Sequence, residues 1–77
     1  MDPLNLNYNA TLLLNKSIAQ SRLKQNDEAL VSLNLCIRMN PNYAKALVKR
    51  GEVYAAAEEW DEAVSDFAAA KALTNEF

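Results

Sequence analysis

Apolar residues recur along this chain at the three- and four-residue steps of a helix, without the alternation of a strand. Leu13, Leu14 and Ile18 mark the inner side of one segment, and Ala29, Leu30, Leu33, Cys36 and Ile37 that of the next. The spacing predicts helices over residues 10–23, 27–39, 43–57 and 60–73. Lys24-Gln25-Asn26 ends the first, and Asn26 or Asp27 is placed to cap the second by accepting backbone N–H bonds. Asn40-Pro41-Asn42 closes the second helix, because proline lacks a donor and disfavours helix in the residue before it. Asp61 and Glu62 fall in the first turn of the fourth, where the helix dipole favours acids. Residues 1–9 are Asn-rich and aperiodic, and read as a linker or the frayed start of a helix.

The pattern repeats at an offset of 34 residues: Asp27-Glu28-Ala29 returns as Asp61-Glu62-Ala63. Leu13 returns as Leu47, Ser17 as Gly51, Leu33 as Phe67 and Cys36 as Ala70, each pair keeping its size class. A fixed period of this length marks stacked helix-turn-helix units, none of which can bury its apolar side alone. The small residues at Ser17, Ala29 and Cys36, with Leu33 and Pro41, resemble the tetratricopeptide repeat, and Gly51, Tyr54, Ala63, Phe67 and Ala70 match it again. The resemblance spans residues 10–75 and implies an all-α fold. Its units are 10–43 and 44–77, two antiparallel helix pairs of an α-solenoid, with 1–9 a linker from a preceding repeat. Asp2-Pro3 then reads as the closing turn of that earlier repeat, so a segment of a longer array is expected.

Composition narrows the function. The chain has 77 residues, 51% of them hydrophobic, with one Gly and a net charge of −2, which suits a small helical domain and not a general nucleic-acid binder. No apolar run approaches a membrane span, and the first residues lack a signal peptide's basic start and apolar stretch, so a cytoplasmic location is expected. There is no His, Gly51 alone cannot form a phosphate loop, and Cys36 has no His or second Cys to make it a nucleophile or zinc ligand. No enzyme activity, metal or cofactor is expected, and Cys36, at a small-residue packing position, reads as a buried inert thiol.

The remaining chemistry is that of a peptide groove. In stacks of this repeat the A helices line the concave side, which here places Thr11, Leu14, Asn15, Ile18, Ser21 and Arg22 beside Lys45, Val48, Lys49, Glu52, Ala55 and Ala56. Lys45 and Lys49 lie four residues apart, on one helix face, where two like charges cost a few tenths of a kcal/mol unless an anion offsets them. Together with Asn15 they resemble the carboxylate clamp of tetratricopeptide domains that bind the acidic C-terminal tails of Hsp70 and Hsp90 chaperones. That clamp uses five residues over three repeats, and Asn15, Lys45 and Lys49 fall on the last three of them. Lys49 stands where Arg is usual, so the planar two-pronged grip on a carboxylate is absent.

The Asp-Pro and the following A helix look like the last two repeats of tetratricopeptide co-chaperones that carry a DnaJ-type J domain. That domain needs a His-Pro-Asp motif, so any J domain lies outside this chain. The resemblance implies that Lys45 and Lys49 hold carboxylates and Asn15 the terminal main chain, with Leu14, Ile18 and Val48 against apolar side chains. A rival reading is a scaffold segment that stacks on other repeats or on a second copy, so a homo-oligomer formed through exposed repeat ends is also expected. Glu52, three residues after Lys49, is placed to occupy that ammonium. Arg22 and Arg50 read as surface cations, and Trp60 as packing on its own hairpin.

Overall fold

The computed structural model describes residues 6–74 as four helices: α1 (Leu6–Arg22), α2 (Asn26–Met39), α3 (Ala44–Ala56) and α4 (Trp60–Thr74). The architecture is all-α, two helix-turn-helix pairs, with α1 packed on α2, α3 on α4, and α2 joining the pairs through α3. The result is a slab only 15 Å thick, little more than one helix diameter, so every helix keeps an outward side. The core runs through Ala10, Leu14, Ala29, Leu33, Cys36, Ala46 and Val53, flanked by Leu13, Ile18, Leu30, Ile37 and Tyr43.

Most helix ends fall within one residue of the sequence expectation, and three features depart from it. Helix α1 starts at Leu6, a turn early, so residues 6–9 are helical, and only 1–5 of the expected linker lie outside the described residues. The weak helix propensity of this Asn-rich start is overridden by packing: Ala10 is fully buried, and its carbonyl accepts a hydrogen bond from the Cys36 thiol at 3.2 Å. Neither Asn26 nor Asp27 caps α2; Gln25 holds that place and makes no side-chain bond. The third difference is Trp60, expected to pack on its own hairpin, which is left 60% exposed at the start of α4.

The turns inside the two pairs share a backbone device that the residue types conceal. Lys24 and Glu58, 34 positions apart, both adopt left-handed conformations (φ 62° and 61°), the place where a helix C-terminus usually carries Gly. In each turn the following N–H reaches back five residues, Gln25 to the Gln20 carbonyl at 2.8 Å and Glu59 to that of Tyr54 at 2.9 Å. These bonds satisfy carbonyls at the end of the first helix and set the tight reversal.

Small residues set how closely the paired helices lie. A Cβ added at Gly51 would stand 2.7 Å from the Phe67 ring, so this glycine lets α4 lay an aromatic directly on the α3 backbone. At the equivalent place in the first pair, Ser17 is fully buried and its hydroxyl donates to the Leu14 carbonyl at 2.6 Å.

Burial also determines the behaviour of Cys36. With no exposed surface, the thiolate is penalised and the thiol is pushed above its ordinary value of 9.0. In the unfolded chain the thiol ionises near that value, whereas in the folded chain it does not. Its contribution is therefore complete below pH 9.0 and lost as the pH rises through the folded value. Above pH 9.0 the stability of the wild type should fall relative to Cys36→Ala by up to about 1.4 kcal/mol per pH unit. Paired denaturant titrations between neutral and strongly alkaline pH check this; parallel pH profiles would contradict it.

Candidate peptide-binding cleft

Helices α1 and α3 leave an open cleft of about 360 Å³ between them. Its apolar part comes from Leu14 and Ile18 on α1 and Ala44 and Val48 on α3, and Thr74 from the end of α4 completes the lining. Leu14 is nearly buried and Val48 is exposed, so the first belongs to both core and cleft while the second is free to meet a ligand. Lys45, Lys49 and Glu52, also on α3, supply its charge. Five predicted residues (Leu14, Ile18, Lys45, Val48 and Lys49) thus line one cavity, whereas Asn15 is exposed on α1 outside its lining. Ala44 and Thr74 were not foreseen; Thr74 lies at the far end of the chain's repeat pattern, and nothing local points from it to α1.

The two lysines are electrostatically unequal. The Lys49 ammonium lies 2.8 Å from a Glu52 carboxylate oxygen, an i,i+3 pair with Glu52 53% exposed. An ion pair this accessible to solvent contributes under about 1 kcal/mol. Lys45 makes no ion pair among the described residues. It also stands in the first turn of α3, which holds no acid, while α2 carries Asp27 and Glu28 there and α4 carries Asp61 and Glu62. A cation at that end opposes the helix dipole, so Lys45 is placed against the stability of its own helix.

Arg50, read from sequence as a surface cation, is instead a tie between the two helix pairs. Its Nε and one terminal nitrogen donate to the two carboxylate oxygens of Asp66 on α4, both at 2.7 Å. The other terminal nitrogen donates to the Asn34 side-chain oxygen on α2 at 3.0 Å. The guanidinium carbon also lies 5.9 Å from the Tyr54 ring centre, at the edge of cation–π range. Asp66 is only 5% exposed, so this bidentate geometry supplies what the buried carboxylate would otherwise take from water. The Asp66 hydrogen bonds raise the Arg50 pKa further, against desolvation, and the group stays charged at every ordinary pH.

The remaining described residues hold no group of three or more Cys, Asp and Glu able to bind a metal ion, and no helix long and apolar enough to cross a membrane. Fold and cleft together define a helical-repeat protein with a small, partly cationic groove. No known protein-family profile matches the chain. It is similar to human DnaJ homolog subfamily C member 7, 31% identical over 67 residues, 87% of this chain. A homolog of that protein in Schizosaccharomyces pombe is 35% identical over 66 residues, and one in Dictyostelium discoideum 29% over 76 residues, 99% of this chain. The chain spans about 14% of the length of these relatives.

Proposed function

We propose that this chain is a non-enzymatic protein-interaction segment of a tetratricopeptide-type co-chaperone, and that its cleft holds the carboxyl-terminal end of an extended peptide. The observation that carries the reading is Lys45, an ammonium at the mouth of an apolar cleft with no ion pair among the described residues, beside Lys49 one helical turn away. A terminal carboxylate at Lys45 would gain a charge-assisted bond, and its neighbouring side chains would cover Val48 and Ile18. Asn15 would reach the peptide main chain from α1. Similarity to DnaJ homolog subfamily C member 7 supports a co-chaperone role, and the resemblance of Asn15, Lys45 and Lys49 to the carboxylate clamp favours a chaperone tail of the Hsp70 or Hsp90 type as the partner.

A short acidic peptide ending in a free aspartate, titrated by calorimetry against its C-terminally amidated twin, tests this. The free acid should bind at least about tenfold more tightly, the scale of one charge-assisted hydrogen bond. Equal affinity, or no binding by either, would reject the carboxylate reading in favour of a scaffold that stacks through its apolar surface. One observation favours that second reading. Leu33 on α2 is fully buried, but Phe67, its equivalent on α4, is 39% exposed, because α2 lies between two helices and α4 contacts α3 alone. Trp60 and Val64 extend the same exposed apolar surface, which a further helix pair or a second copy would cover.

A further inference from the structure

Thr74 closes α4 and lines the cleft together with Ala44 and Lys45 from the first turn of α3. The tight turn at Glu58 sends α4 back along α3. At 1.5 Å of rise per residue, the 15 residues of α4 outrun the 13 of α3 by about 3 Å. The end of α4 therefore comes level with the start of α3, which sets Thr74 at the Lys45 end of the cleft. Its hydroxyl donates its single proton backward, to the Ala70 carbonyl at 3.1 Å with the Lys71 carbonyl at 3.4 Å. The oxygen lone pairs remain and Thr74 is exposed, so toward a ligand this hydroxyl is an acceptor. Among the lining side chains only Glu52 also accepts, and Lys49 already engages it.

We infer that Thr74 is a binding residue of the cleft, accepting a hydrogen bond from the main-chain N–H of the last peptide residue, whose carboxylate sits at Lys45. The inference rests on the carboxylate reading and adds to it the contact that orients the chain end. This N–H and the carboxylate are bonded to the same Cα, so a cation and an acceptor at one end of the cleft can take both. A carboxylate alone is free to turn on an ammonium, which is a compact point charge with rotatable donors. The N–H contact fixes that rotation and directs the upstream residues along Val48 and Lys49, where an acidic side chain meets the second ammonium. Asn15, exposed on α1 outside the lining, is left to contacts farther up the peptide main chain. A tail ending in proline, which has no N–H, loses the Thr74 contact.

Calorimetry with three versions of one acidic peptide tests it: the free acid, its C-terminally amidated twin, and a free acid whose last amide is replaced by an ester. The ester keeps the carboxylate and the length of the chain but lacks the N–H donor. Wild type should bind the amide-linked acid about two- to tenfold more tightly than the ester, the range of one neutral hydrogen bond. Thr74→Val should bind the two alike, near the affinity of wild type for the ester. Thr74→Ser, which keeps the hydroxyl, and Asn15→Ala should still discriminate. Thr74 is exposed in the last turn of α4, so Thr74→Val should keep the wild-type melting curve. If wild type does not discriminate, or Thr74→Val discriminates as well as wild type, this inference falls, while the carboxylate reading stands as long as the free acid outbinds its amidated twin. If acid and twin bind alike, both fall.

Discussion

Replacing Arg50 with Ala should destabilise the fold by about 3 kcal/mol, measured as a shift in the urea unfolding midpoint. Truncating one partner of a buried ion pair costs about 3–5 kcal/mol, because the other charge is left without compensation. Here the abandoned group is Asp66, whose side chain is 7% exposed; Arg50 itself is 23% exposed, so some water already reaches the pair and the lower end of that range applies. The Asn34 contact on α2 is lost in the same step, loosening the tie between the helix pairs. Arg50→Lys should recover only part of the loss, since an ammonium cannot reproduce the two parallel bonds to the Asp66 oxygens. The double replacement Arg50→Ala with Asp66→Ala should cost less than Arg50→Ala alone, because no buried carboxylate then remains unpaired. A loss below about 0.5 kcal/mol for Arg50→Ala, the range of an ordinary surface change, would mean that the pair does not hold the helices together.

The reason this residue was misread from sequence separates what the chain displays from what it hides. The helices are legible because burial recurs at a fixed period: Ala29 and Cys36 are buried, and so are Ala63 and Ala70, 34 positions on. The cleft residues Leu14, Ile18, Lys45, Val48 and Lys49 share one face of α1 or α3, a pattern that local spacing can express. Arg50 and Asp66 lie 16 residues apart on different helices, and no local rule joins them. The repeat offered a partial hint, since their counterparts Lys16 and Ser32 make no such pair, and Ser32 instead donates to Gln20. The left-handed turns at Lys24 and Glu58 were hidden for another reason: neither residue is Gly, so the backbone conformation left no mark in the residue type. Asn26 and Asp27 showed the opposite error. Their residue types announce a cap, but the turn before α2 is set by the Gln25–Gln20 backbone bond and starts the helix one residue sooner.

Lys45→Ala should weaken binding of a free-acid peptide by about 1.5–3 kcal/mol, the worth of a charge-assisted hydrogen bond, and so raise its Kd roughly 10- to 150-fold. The same change should leave the fold as stable as before or raise its stability by about 0.3–1 kcal/mol, because it removes a cation from the positive end of α3. It also relieves the like-charge contact with Lys49 one turn away. These opposite signs are what distinguish a binding residue from a structural one. Arg50 shows the contrasting case, since its replacement should lower stability and disturb binding only through the fold. Lys45→Arg should retain most of the affinity, and added salt should weaken the wild type more than Lys45→Ala, because the contact being screened lies at the exposed mouth of the cleft. Unfolding curves and calorimetry on the same preparations give both quantities. A Lys45→Ala protein that binds the free acid as tightly as wild type would remove this ammonium from recognition. One that loses binding only in proportion to lost stability would place it in the scaffold.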